Sequence, residues 1–204
     1  MSLLQCIGWR RGAMALAGAA LLTLAAIEVL SDEPEIALLI GEPYEAMRQR
    51  SSAAINPAIP GHVSFNIPKS DTRLRFIDPQ YGFVTPPARF FTVIYNKDII
   101  NSVRMSPQIE PLLLDDTLKI VLELQEQWRN AGWTPIKVDY FPSFADTPQW
   151  RAQLRDVNKG GKTYWHAGNQ YQVMLIVNRF RDQNRPTEER YLITLALATP
   201  WTNP

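Results

Sequence analysis

The segment Gly12–Leu30 reads GAMALAGAALLTLAAIEVL, with a single charged side chain, Glu28, close to its end. Wound as a helix at 1.5 Å per residue it would be about 28 Å long, close to the roughly 30 Å hydrocarbon core of a bilayer. Arg10 and Arg11 stand directly before it; Asp32, Glu33 and Glu35 follow. Basic flanks stay on the cytoplasmic side, so this charge order predicts a cytoplasmic N-terminus and an exported remainder. A cleaved signal peptide has the same basic-then-apolar layout, and Thr23-Leu24-Ala25 offers a small-x-small site for it. The uncleaved anchor is favoured because the apolar run continues through Ile27, Val29 and Leu30.

The expected organisation is a cytoplasmic n-region at 1–11, a transmembrane helix at 12–30, a linker at 31–42 and an extracytoplasmic domain at 43–204. The expected location is the inner membrane, crossed once, with the domain in the periplasm. If the segment is cleaved, the protein is periplasmic and free. Roughly 170 residues remain after the segment, enough for one domain with a core of its own. With 46% hydrophobic and 20% charged residues the chain has a globular composition.

Charge and cysteine usage exclude several function classes. Residues 1–31 hold Arg10, Arg11 and Glu28, and without them the basic and acidic side chains balance. A nucleic-acid binder draws affinity from neutralised phosphates and shows a basic excess, so no nucleic-acid partner is expected. Cys6 is the only cysteine and precedes the apolar segment, so the domain has neither a disulfide nor a thiolate metal site. The two histidines, His62 and His166, have no second ligand at metal-binding spacing. No phosphate-binding loop, dinucleotide glycine pattern or nucleophile elbow occurs, and no cofactor is expected. Ser143, His166 and Asp146 could be drawn as a triad only arbitrarily. Asp115 and Asp116 are explained as acidic residues at a helix start.

Side-chain periodicity predicts an α+β fold: a mainly antiparallel sheet of meander hairpins with two or three packed helices. His62–Ile67 alternates, with Val63, Phe65 and Ile67 on one side. Thr72–Ile77 alternates with Leu74 and Phe76 against Arg73 and Arg75. Joined by Pro68-Lys69-Ser70-Asp71, the two read as a half-buried hairpin. Phe90–Tyr95 and Ile100–Met105 form a second hairpin turning at Asn96-Lys97-Asp98. Leu114, Leu118, Val121, Leu122, Gln125 and Trp128 share one face of a helix from Leu114 to Ala131, stopped by Gly132. Short helices are expected after Pro43 and after Asp146, the latter burying Trp150, Leu154 and Val157. Strands are expected at Ile136–Phe141, Lys162–His166, Tyr171–Phe180 and Tyr191–Ala198, with Tyr171–Phe180 central because both its faces are apolar.

Aromatic side chains concentrate between Trp133 and His166, beside Arg151 and Arg155. Tyr, Trp and Arg anchor protein interfaces, so Tyr140, Phe141, Phe144, Trp165, His166, Arg151 and Arg155 are the candidate binding surface. Ordinary core packing is the competing explanation. Arg73, Arg75 and Arg89 form a second group, best read as a solvated sheet face. In size and layout the chain is similar to small envelope proteins that bind other proteins, including immunity proteins against periplasmic toxins and assembly factors of envelope machines. The expected function is therefore non-enzymatic protein binding outside the cytoplasm. A structural subunit of an envelope complex is the alternative, and an envelope hydrolase ranks last.

Overall fold

The computed structural model describes residues 33–181, 183 and 187–202; the apolar segment at 12–30 lies outside them. No helix among the described residues is long and apolar enough to cross a membrane. The described residues form thirteen elements in chain order: β1 (Glu35–Leu38), α1 (Tyr44–Arg50), β2 (Val63–Asn66), β3 (Arg73–Phe76), β4 (Phe83–Val84), β5 (Phe91–Asn96), β6 (Ile99–Met105), α2 (Leu114–Asn130), β7 (Thr134–Ile136), α3 (Pro148–Arg155), β8 (Gly161–Ala167), β9 (Tyr171–Phe180) and β10 (Arg190–Ala198). Over the described residues the fold is α+β, with a large antiparallel sheet and three helices. The large sheet runs β2-β5-β6-β10-β9-β8-β7, and β1-β3-β4 form a smaller one.

The elements with the clearest side-chain period form as expected. The β5–β6 hairpin turns tightly at Lys97 and Asp98, both at positive φ (48° and 68°). That left-handed pair matches the twist of the flanking strands. β8, β9 and β10 are a meander, with β9 flanked on both sides and β10 crossing back to β6. α2 buries Leu114, Leu118, Val121, Leu124, Gln125 and Trp128. Its end is a Schellman motif: Gly132 N–H donates to the Arg129 carbonyl, and Trp133 N–H to that of Trp128. Gly132 sits at φ 86°, and the two indoles joined by the motif pack with centroids 6.4 Å apart. The hydrophobic partnership such motifs favour is here a Trp–Trp contact.

Several local readings are corrected. His62–Ile67 and Thr72–Ile77 do not pair with each other: β2 joins β5 in the large sheet, while β3 lies between β1 and β4. Glu35 decides the second pairing, because the parallel register places its carboxylate 2.9 Å from Arg73 Nε and 2.6 Å from Arg75 Nε. Arg73 and Arg75 are thus ion-paired rather than a bare solvated face, and Arg89 lies 3.3 Å from Asp71. It follows that the stretch read as a linker contains a core strand: Ile36, Ala37 and Leu38 are fully buried. Next, the strand read as Ile136–Phe141 is only Thr134–Ile136, since Lys137 turns the chain at φ 53° and its carbonyl accepts from Tyr140 and Phe141 N–H. Lastly, Thr147 rather than Asp146 caps α3, its Oγ1 accepting from Trp150 N–H, and Val157 lies beyond the helix and is exposed.

The core lies between α2 and one face of the large sheet, whose inward residues include Val173, Leu175 and Val177 of β9 and Ile193, Leu195 and Leu197 of β10. Ile94, Ser102, Ala196, Met174 and Tyr164 alternate with the buried positions and stand half-buried on the opposite face.

Near α1, Tyr44 is buried against Tyr95, donates to the Asn56 carbonyl and accepts from the Asn66 amide. Burial pushes its hydroxyl up to about 12, against the lowering effect of Asn66. Burial likewise raises Tyr171, which Asp78 reinforces, and Tyr191, which Glu189 reinforces. A tyrosine near its unfolded value of roughly 10 loses its proton earlier when unfolded than when folded. The stabilisation is therefore whole below pH ~10 and is lost as pH rises toward 12. Denaturant unfolding across that range should show falling stability, and Tyr44→Phe should make the fall shallower. Equal slopes for the two proteins would refute the assignment to Tyr44.

Candidate binding groove

The loop after β7 and the start of β8 enclose an open groove of about 480 Å³. Its wall is built from Tyr140, Phe141 and Pro142 of the loop, Trp150 and Gln153 of α3, Lys159 to Lys162, and Ile176 and Asn178 of β9. Local sequence explains the shape. Pro142 keeps the loop from continuing a strand ladder. Gly160 takes φ 61°, and a Cβ there would lie 2.8 Å from the Val177 carbonyl oxygen. A Cβ on Gly161 would lie 2.5 Å from the Phe144 ring and 2.8 Å from Trp150. A side chain at Gly161 would push the Phe144–Trp150 pair, whose tilted rings lie 4.8 Å apart, off the base of the groove.

The loop is fixed from below by a buried amide. Gln125 Nε2 donates to the Phe144 carbonyl and Gln125 Oε1 accepts from Phe144 N–H, both at 2.9 Å. A side-chain amide thus does for one loop residue what a neighbouring strand does for a ladder residue. Gln127 repeats the arrangement at Val84, and Gln108 at Tyr191 and Ile193.

Above this base lies an aromatic frame around a cation. Tyr140 is 82% exposed, the most open of the large hydrophobic side chains among the described residues. Phe141 meets Tyr164 edge-on at 5.1 Å, and Lys162 Nζ sits 5.7 Å from the Phe141 centroid and 6.0 Å from that of Tyr164. Such contacts hold an ammonium in place without neutralising it. Among the described residues no carboxylate lies within ion-pair distance of Lys162, whereas Lys159 is held by Asp156 at 3.3 Å. The Asn158 N–H and Lys159 keep the Asp156 carboxyl below the usual carboxylate range.

Comparison with protein-family models, curated proteins and solved structures returned no match. The groove must therefore be read from its own chemistry.

Only part of the expected surface is brought together. Tyr140 and Phe141 line the groove, with Phe144 buried beneath them. Trp165 is fully buried against Trp128, their centroids 5.7 Å apart, under the Arg129 guanidinium. His166 is 5% exposed, on the other face of the same strand. Burial leaves neither side chain free to meet a partner. Arg151 bridges Asp115 and Asp146 and holds the Asp146 carboxyl below its usual range. Arg155 pairs with Glu189, and its carbonyl accepts from Arg179. Both arginines are therefore engaged within the chain. Sequence reasoning missed Lys162, Asn178 and the Gly160-Gly161 pair. The available signal was a double glycine between two lysines, next in space to an aromatic-proline loop. Among the described residues no cluster of three potential ligands could hold a metal ion.

Proposed function

We propose that this chain is a membrane-anchored, periplasm-facing binding module that receives a carboxylate-bearing segment of another protein in the groove around Lys162. The observation that carries the reading is the Lys162 ammonium, framed by Phe141 and Tyr164, with no carboxylate of its own, beside the protruding Tyr140. A partner carboxylate completes the ion pair, and the rings supply apolar contact around it. Arg10, Arg11 and the apolar segment 12–30 support the placement: a helix through the inner membrane and the domain beyond it. Binding rather than catalysis is the proposed activity, and neutralisation of an envelope-acting toxin is its most concrete form.

The test uses the tagged full-length chain, extracted in mild detergent from its native envelope, beside Tyr140→Ala and Lys162→Glu. Truncating a central anchor costs about 2 kcal/mol or more, so each variant should retain at least ~10-fold less of the partner. A partner held equally by all three proteins refutes the groove. A partner lost only when 12–30 is exchanged for an unrelated anchor moves the reading to a structural subunit.

A further inference from the structure

Among the described residues β2 is an edge strand of the large sheet, with no strand on its outer side. Its register with β5, and the bond from Lys97 N–H to the His62 carbonyl, turn the main-chain groups of Ser64 and Asn66 inward toward β5. The N–H and C=O groups of Val63, Phe65 and Ile67 therefore point outward, and none has a partner among the described residues. The side chains of these residues are also displayed, 71%, 58% and 48% exposed. Exposed edges are normally blunted by lysine, proline or a bulge. From His62 to Ile67 this edge carries none of them and no formal charge.

We propose that β2 is a homodimerisation strand, pairing antiparallel with β2 of a second copy about a two-fold axis through Phe65. Two features select a second copy. The strand is self-complementary: with Phe65 opposite its own symmetry mate, Val63 meets Ile67, Ser64 meets Asn66, and the outward donors and acceptors bond reciprocally. Being uncharged, it meets no like charge in its own image, and Lys69 falls opposite Gly61. The far edge of the sheet excludes the head-to-tail alternative. There β7 carries Pro135, which has no N–H, and Lys137 turns the chain away. β2 cannot add to β7, so growth closes at a dimer rather than running on as a filament. The groove lies at the opposite end of the sheet and stays open, so dimerisation stands independently of what the groove binds.

The test is oxidative cross-linking of the full-length chain in detergent, with Cys6→Ser as background. Phe65→Cys should cross-link to itself, because directly opposed residues lie within disulfide reach. Val63→Cys mixed with Ile67→Cys should give a dimer that neither gives alone. Ile109→Cys, exposed away from β2, should stay monomeric. Phe65→Asp should weaken dimerisation at least ~10-fold by sedimentation. Three results overturn the proposal: a monomer at every concentration, a dimer untouched by Phe65→Asp, and a monomer whose Phe65→Asp variant loses a foreign partner. The last would assign the edge to a strand from another protein.

Discussion

Gln125→Leu will unfold about 5–15 °C below the parent protein. Leucine keeps most of the volume but leaves Phe144 N–H and C=O without partners in a buried place. Each such group costs about 1–3 kcal/mol, so the expected loss is about 2–5 kcal/mol. For a domain of this size each kcal/mol moves the midpoint by roughly 2–4 °C. Groove binding should fall too, although Gln125 lines no part of the groove, because the loop carrying Tyr140 and Phe141 loses its fixed point. Limited proteolysis should then cut near Tyr140 before the rest of the domain opens. Gln125→Glu sharpens the test. A carboxylate accepts from Phe144 N–H but has nothing to donate to the carbonyl, and its charge is buried. That variant should recover stability as the pH falls and the carboxyl gains a proton to donate. A midpoint within a degree or so of the parent for Gln125→Leu would show that the loop stands without its clamp.

Trp128→Ala should cost about 3–5 kcal/mol, the range for deleting a large buried aromatic. The indole touches the rings of Phe83, Trp133 and Trp165, so its removal opens a cavity where α2 meets both sheets. It also deletes one half of the Trp–Trp contact that closes the Schellman motif. Trp128 Nε1 has no acceptor among the described residues, and neither has Trp165 Nε1. Trp128→Phe removes that unpaired donor while keeping a ring, so it should cost clearly less than the alanine variant. Equal losses in denaturant unfolding would mean that the indole's own shape, rather than aromatic bulk, holds the site.

The parts of the fold that sequence made legible are those whose side-chain period and tertiary surroundings agree. α2 shows one apolar stripe because one side of it meets the sheets. β9 reads as central because neighbours flank it on both sides. β2 misleads for a definite reason: alternation shows that two faces differ without showing which is buried. There the apolar set points outward, while Asn66 turns in to donate to Tyr44 and to two loop carbonyls. β1 reads as linker because the short apolar run Ile36–Ile40 suits packing on the domain or lying at a membrane surface as well as it suits a strand. Its parallel pairing depends on Glu35 meeting arginines some forty residues away, which no local window contains.

The site divides along the same line. Phe141 and Phe144 stood out as exposed loop aromatics flanking Pro142; Phe141 does line the groove, but Phe144 is buried beneath it. Trp165 and His166 belonged to the same cluster by count alone, and only the sheet order shows that they are enclosed. Gln125 was visible as a polar residue on a buried stripe, but its partner Phe144 was not. Lys162 gains meaning only once β8 is placed beside the loop that supplies Phe141.

The parallel pairing of β1 with β3 also has a mechanical side. β1 is the first described strand, so a pull arriving through Glu33 loads it before any other element. Along the strand axis its bonds to β3 share the load in shear, with Glu35 gripped by two arginines at the point of entry. Across the axis the same force would peel them apart one at a time. If the domain is tethered and loaded as proposed, its resistance would therefore depend on the direction of the pull as much as on its strength.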